Sequence, residues 1–470
     1  MDNAIKDSVR YPVVVIGGGL AGIAAATALA SGHIPVTLLE SRPQLGGRAT
    51  SYVDRESGET IDNCQHVSMG CCTNLRHLCE SLGLNDAFQT ESRLDFIGPD
   101  GTCTPFTADS LPAPFHLTRS FLRLPYLSWK EKWRFALGVR ALAAARPEQL
   151  QGKSFAEWLR EHHQTDALMQ NVWEVVLVSA LSESLDRIDA LYARKVFVDG
   201  FLANSQGWKV EIPRFNLDEL YSIRVSSSLR NHGVTVHTQS RVSRVVPTDH
   251  GAEVTLADGS ILLACDVVLA VPQHQVASLV EGVDSLKGLV TQSQQLESAP
   301  ITSVHLWYDR PLTDLQHAVL VGRCGQWLFN RGIRLLSGRE TYYYQVVISA
   351  SRQLRQLSQD EVIQILDGEL QEIWPGAGAR LIHSRMITEK RAVFSALPGV
   401  DQFRPVQQTN APNIQVAGDW SQTAWPATME GAVISGYLAA ENIFRRHGQI
   451  QKFVQPGLPV SALSRLLLKL

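Results

Sequence analysis

The stretch that most constrains this 470-residue chain lies near its start, where a β-branched run ends in a glycine turn. Pro12 to Ile16 reads Pro-Val-Val-Val-Ile, the composition of a strand buried on both faces of a parallel sheet. Gly17-Gly18-Gly19-Leu20-Ala21-Gly22 follows at once and satisfies G-x-G-x-x-G. Ile23 to Ala30 continue as an alanine-rich helix that Gly32 ends, and Pro35 to Leu39 form a second strand with Glu40 at its tip. Glu40 lies 18 residues beyond Gly22, the distance one helix and one strand should cover. In such a unit Gly17 makes the tight turn, Gly19 lets backbone approach a pyrophosphate, and Gly22 lets helix and strand pack closely. The helix N-terminus, opening at Leu20 and Ala21, offers free N–H groups and the positive end of its dipole to phosphate. Glu40 accepts hydrogen bonds from ribose hydroxyls and repels a 2′-phosphate. The register predicts a Rossmann-type dinucleotide site in an α/β fold.

Two further segments belong with it. Ser41 and Arg42-Pro43-Gln44-Leu45-Gly46-Gly47-Arg48 follow Glu40, and the paired glycines let the chain pass close to the pyrophosphate that Arg48 can neutralise. Near the other end, Asn413 to Ala417 is a short apolar strand leading into Gly418-Asp419-Trp420. Pro426-Ala-Thr-Met-Glu-Gly431-Ala432 then opens a helix of small residues, again a strand, a glycine–acid turn and a helix start.

Between these ends, Gly233 to Thr238, Arg241 to Val246 and Ala252 to Leu256 alternate like strands. Asp258-Gly259 marks a hairpin turn, and Ile261 to Ala270 reads as one return strand. The expected cofactor domain is therefore assembled from residues 1–90, 205–285 and 395–447. Residues 91–204 and 286–394 form a mixed sheet-and-helix substrate domain, and 448–470 a C-terminal tail.

The Gly46-Gly47-Arg48 run resembles the extended FAD fingerprint of the flavin amine oxidase and phytoene desaturase superfamily. Two longer signatures narrow the resemblance: Ile61-Asp62-Asn63-Cys64-Gln65-His66, and Ala417-Gly-Asp-Trp-Ser-Gln-Thr-Ala-Trp-Pro-Ala-Thr-Met-Glu-Gly-Ala432. Together they look like the hydroxysqualene dehydroxylases, the squalene-associated FAD enzymes of bacterial hopanoid synthesis. The resemblance implies noncovalent FAD, with Asp419 at the ribityl or pyrophosphate part and the Thr428 to Gly431 segment at the N1/C2 edge of the ring, Met429 closest. It also implies that backbone near Val242 grips the adenine. The substrate would be a hydrophobic C30 isoprenoid, hydroxysqualene, whose allylic hydroxyl is replaced by hydride from reduced flavin to give squalene. Cys64 stands where the family usually has glycine, and a positive φ there would strain a cysteine.

Loss of hydroxide calls for an acid or strong donor, and an allylic cation calls for aromatic faces. The candidates are His66 and Gln65 from the first signature, with His66 preferred because imidazole titrates in the useful range, and Trp420 and Trp425 from the second. Both tryptophans read equally well as core. The rival readings are a C30 or C40 polyene desaturase, an amine oxidase, and a non-redox lipid carrier of the same fold. No residue pattern assigns an electron donor.

A net charge of −3 excludes an extended basic surface for nucleic acid. No stretch reaches the ~20 apolar residues of a spanning helix, and Met1 to Arg10 is too polar for a secretory leader. Seven cysteines, an odd number, suit a reducing compartment. Cys64, Cys71, Cys72 and Cys79, with His66 and His77, lack metal-ligand spacing, so no metal is expected. Leu111 to Leu127 mixes apolar residues with Arg119 and Arg123, and Trp129, Trp133 and Phe135 follow among Lys130, Lys132 and Arg134. This segment, and Val460 to Leu470, could lie in a membrane interface, or they could be ordinary amphipathic helices. The expected location is the cytoplasm, peripheral to the inner face of a bacterial membrane.

Overall fold

The computed structural model describes residues 11–468, so Met1 to Arg10 and the last two residues of the C-terminal segment lie outside the described residues. Its centre is a five-stranded parallel sheet, and the fold is α/β. The strands are β1 (Val13–Ile16), β2 (Val36–Leu39), β3 (Thr235–His237), β4 (Asp266–Leu269) and β5 (Ile414–Val416), in the order β3-β2-β1-β4-β5. Val13 pairs with Val36 on one side and Asp266 on the other. Segments hundreds of residues apart thus meet in one sheet, because apolar strands flanked on both sides bury every side chain.

Helix α1 (Leu20–Ser31) covers one face of this sheet. Across it runs α3 (Met429–Arg446); between the two in sequence lies α2 (Trp129–Ala144). Alanines on α1 let α3 approach so closely that a Cβ on Gly436 would collide with the Ala21 carbonyl. The C-terminal end of α3 is tied to β4 by Asp266, whose carboxylate meets Arg446 and His447 at 2.7 Å each.

One sequence expectation needs correcting. Ile261 to Ala270 is not one strand. Ile261–Ala264 closes a three-stranded antiparallel sheet with Val242–Thr248 and Gly251–Leu256, while Asp266–Leu269 crosses into the parallel sheet as β4. The burial pattern changes at that break, from alternately exposed residues to four fully buried ones.

A second, seven-stranded sheet stands beside the first. Its order is Leu381–Phe394, Ser298–Tyr308, Arg339–Ile348, Trp327–Leu336, His317–Leu320, Arg93–Ile97, Cys103–Thr107. A bulge between Asn330 and Ile333 interrupts its fourth strand, with Gly332 at φ 82°. Helices from residues 118–202 pack around it, including two π-helical turns, Met169–Trp173 and Val198–Leu202. The short helix α4 (Ala462–Leu468) closes the chain. Among the described residues no helix is long and apolar enough to cross a membrane.

Candidate functional site

One cavity of about 1030 Å³ runs from the glycine turns into the second sheet. Its polar end is walled by Gly17, Gly19, Leu20, Ala21, Glu40 and Ser41, by Gly46, Gly47 and Arg48, and by Gly418, Asp419, Thr428 and Met429. The sequence names these residues from separate motifs, and the parallel sheet brings the motifs to one place. Gly22 and Gly431 sit behind the wall. Gly22 packs helix against turn, where a Cβ would collide with the Gly17 carbonyl, and Gly431 donates its N–H to Thr428 Oγ1 at 3.1 Å.

The geometry shows what the wall can hold. Gly19 caps α1, no side chain among the described residues satisfies the first-turn N–H groups, and Gly19, Leu20 and Ala21 line the cavity. Arg48 donates to the Ala392 carbonyl at 2.7 Å and pairs with Asp419 at 2.5 Å. Burial opposes the Arg48 charge, but Asp419 outweighs that and holds the guanidinium protonated. Glu40 accepts from Gly18 N and Arg42 N, both at 2.7 Å, and from Ser41 Oγ at 3.1 Å. A carboxylate has about four acceptor positions, so one remains for a hydroxyl. At the far side Thr428 caps α3, whose N-terminus also opens on the cavity. Two positive helix ends, glycine backbone and a half-buried arginine are the donor set a pyrophosphate-bearing dinucleotide requires.

Two residues fall elsewhere. Val242 begins a strand of the hairpin sheet and is not in the cavity wall. Trp425 is also outside the wall, and the Lys195 ammonium lies 4.4 Å from its ring centroid. Trp420 does touch the cavity, but it is fully buried with its indole N–H on the Val271 carbonyl at 2.9 Å. It supports the Gly418 turn as core.

Beyond the glycine turns the cavity becomes apolar, walled by Phe96, Phe106, Phe121, Phe135, Phe197 and Trp208 among others. At the junction sits the Asn63–His66 loop. Asn63 Nδ2 donates to the Arg48 carbonyl at 2.6 Å, linking this loop to the first glycine run. Cys64 is absent from the residues with positive φ, so cysteine fits this backbone without strain. Burial pushes its thiol up to about 12, which leaves it protonated and inert.

His66 differs from the expected proton donor. Its Nδ1 lies 3.0 Å from the Cys64 carbonyl, an acceptor only, so Nδ1 carries the proton. Burial lowers its pKa, so near neutral pH the ring is uncharged and Nε2 is an acceptor. The donor in this loop is Gln65. Its Oε1 is held by Arg331 Nη1 at 2.6 Å, and Arg331 Nη2 meets Asp62 at 2.8 Å. Sequence reasoning missed Arg331, though a glycine inside a strand pattern, Asn330-Arg331-Gly332, signals the bulge that aims it.

The four early cysteines divide. Cys71, Cys72 and Cys79 are buried in the core under α1, whereas Cys64 lines the cavity. The one group with metal-ligand spacing among the described residues is Cys265, Asp266 and His447, and its carboxylate is already paired with Arg446 and His447.

The flavin containing amine oxidoreductase family matches residues 20–444, nearly the whole described chain. The chain belongs to that family. Membership implies a flavin in the cradle just described. Among curated relatives, 15-cis-phytoene desaturase of Glycine max is 27% identical over 460 residues, covering 92% of this chain and 79% of that one. Hydroxysqualene dehydroxylase of Sinorhizobium fredii is 26% identical over 439 residues, covering 91% and 97%. Among solved structures, putrescine oxidase bound to putrescine superposes with a TM-score of 0.70 at 18% identity, covering 93% of this chain and 99% of that one, a likeness of fold.

Proposed function

We propose that the chain is a noncovalent FAD enzyme acting on long isoprenoid chains, and that its reaction is the reductive dehydroxylation of hydroxysqualene to squalene. The observation that carries this is the single cavity, in which the dinucleotide cradle opens directly into a chamber walled by phenylalanine and tryptophan. Such a chamber suits a hydrocarbon chain and offers a small polar substrate little to bind. Bound in its two-electron reduced form, the flavin would supply a hydride to the carbon and a proton for the departing hydroxyl, giving water and oxidised FAD. The protein's own part is to seat the chain, exclude water, and place the Gln65 amide donor and the His66 acceptor where a hydroxyl can meet both. Buried aromatic faces near this point can stabilise positive charge on an allylic carbon.

Desaturation of a C30 or C40 polyene is the second reading, favoured by similarity to the phytoene desaturases over most of the chain. The two separate in one experiment. Purified enzyme is incubated with hydroxysqualene and reduced flavin, and in parallel with squalene or phytoene under oxidising conditions. Squalene formed only in the first supports dehydroxylation; conjugated polyene formed only in the second replaces it with desaturation.

We further propose that the substrate enters from a membrane surface. Phe115, Thr118, Leu122, Ala136, Arg140 and Leu467 belong to the cavity wall and are also exposed, so they mark its apolar mouth. Trp129 and Trp133, 72% and 68% exposed on α2, stand beside it.

A further inference from the structure

We infer that Arg331 fixes the polarity of Gln65, so that this side chain recognises a hydrogen-bond acceptor on the ligand and not an ammonium group. The inference rests on the reading of an oxygen-bearing isoprenoid substrate and deepens it.

Donor and acceptor counts decide which way the amide faces. Gln65 is buried, 7% exposed, and its side chain has one oxygen and one NH₂ group. A guanidinium has five donors and no acceptor, so whatever faces Arg331 Nη1 at 2.6 Å must be the amide oxygen. The nitrogen is thereby turned the other way. One of its hydrogens reaches the His66 carbonyl at 3.3 Å, and the second has no protein acceptor among the described residues. Gln65 can therefore offer the cavity N–H only.

Arg331 is itself held. Nη2 pairs with Asp62 at 2.8 Å and touches Asn216 Oδ1 at 3.4 Å, and the guanidinium is 14% exposed against 3% for the Asp62 carboxylate. Asp62 also accepts from Ser51 Oγ at 2.7 Å and Leu217 N at 2.9 Å. The charge is compensated and the fork cannot swing away, so the amide is fixed. The strand bulge after Asn330 directs the side chain out of the second sheet toward the first signature loop. Without Arg331, the amide is free to turn over about its last torsion, which is broad and roughly two-fold, and to present oxygen instead. An oriented N–H suits an alcohol or ether oxygen and leaves an ammonium without a partner at Gln65.

The test uses FAD-loaded protein and three C20 probes: geranylgeranyl methyl ether, its hydrocarbon isostere with CH₂ for oxygen, and geranylgeranylamine. Binding is measured calorimetrically in one detergent and corrected for each probe's partition. Wild type should favour the ether over the hydrocarbon by about tenfold, the worth of one well-made hydrogen bond. Gln65→Leu and Arg331→Met should each abolish that preference, and Arg331→Lys should retain most of it. Arg331→Met should also gain about tenfold for the amine. The double variant R331M/Q65L identifies the source of that gain. Disappearance of the gain assigns it to the turned amide, whereas persistence assigns it to the bared Asp62 carboxylate and overturns the inference. Equal wild-type affinity for ether and hydrocarbon, or an unchanged preference in R331M, overturns it as well. An intact ether preference in protein that never turns over hydroxysqualene would instead overturn the proposed reaction and leave the role of Arg331 standing. Flavin absorbance and melting temperature confirm that each variant is folded.

Discussion

Arg48 and Asp419, 371 residues apart in sequence, form a salt bridge at 2.5 Å that joins the first glycine run to the last one. The pair closes the polar end of the cavity. Arg48 is held charged by Asp419 against the cost of burial, so the cradle keeps a cation in place for the phosphates. Arg48→Ala should lower FAD affinity about tenfold or more, because a charge-assisted hydrogen bond contributes roughly 1.5–3 kcal/mol. Asp419→Ala should also loosen the cofactor by freeing the guanidinium to move. Equilibrium dialysis of FAD against the three proteins checks both; unchanged retention in Arg48→Ala would remove the cradle as drawn.

Glu40 gives a different kind of prediction. The sequence assigns it to ribose, yet in the structure its oxygens already hold Gly18 N and Arg42 N. Glu40→Ala should therefore destabilise the protein without cofactor, by about 1.5–3 kcal/mol for each charged hydrogen bond lost. Thermal unfolding of flavin-free protein should show a lower melting temperature, and Glu40→Gln should recover part of it. A variant that loses FAD affinity while the flavin-free melting temperature stays unchanged would confine Glu40 to the ligand.

These two sites also show what a sequence can disclose. The cradle was legible because it rests on backbone geometry: Gly17, Gly22 and Gly46 are demanded by turns and close approaches that no other residue tolerates, and their spacing follows from strand and helix lengths. Asp419 came from the resemblance of the Gly418-Asp419 turn to a family motif. Arg331 was not, because its role depends on a bulge in a strand and on a contact with Gln65, 266 positions away, that no local pattern encodes. The change of sheet at Cys265 was hidden because a mostly apolar run, Ile261 to Ala270, broken only by Asp266, does not say which neighbours its halves will pair with. His66 lines the cavity, but where its proton sits was not legible, since burial and the Cys64 carbonyl are facts of the fold.

That correction to His66 has a pH signature. Burial lowers its pKa, and burial takes His305 down to about 3. Above about pH 6.5 both rings are neutral in the folded and unfolded states and contribute no pH dependence. Below it the unfolded chain binds protons that the native rings refuse, so stability falls as pH falls, by up to 1.36 kcal/mol per pH unit for each ring. For His305 this loss continues down to about pH 3. His305→Gln should remove about one proton's worth of slope between pH 6 and 4 in denaturant titrations. A slope unchanged from wild type would mean that His305 titrates normally. Turnover should likewise show no alkaline limb near pH 6.5 to 8 that disappears in His66→Ala, because burial lowers the His66 pKa and its Nδ1 proton is held by the Cys64 carbonyl.

The last prediction concerns the apolar mouth. Trp129 and Trp133 project from α2 into solvent, and Arg119, Arg123 and Lys130 are exposed nearby, with Arg134 half-buried. Indole rings suit the interface between headgroups and hydrocarbon, and cations there meet anionic phosphates. Lys132 does not belong to this set: it is 8% exposed, and its ammonium is spent on the Leu122 carbonyl at 2.8 Å. Purified protein should sediment with vesicles containing anionic phospholipid, and added salt should weaken binding because exposed attraction is screened within about 8 Å at physiological ionic strength. Neutralising Arg119, Arg123, Lys130 and Arg134 together should weaken binding to anionic vesicles while leaving the weaker binding to neutral ones. Trp129→Ser with Trp133→Ser should reduce both, since it removes buried apolar area and leaves the charge untouched. Lys132→Met should leave the salt dependence as it was, which separates the surface cations from the buried one. Vesicle binding that is absent in wild type, or indifferent to both sets of substitutions, would return α2 to an ordinary wall of the cavity and leave the exposed tryptophans without a membrane partner.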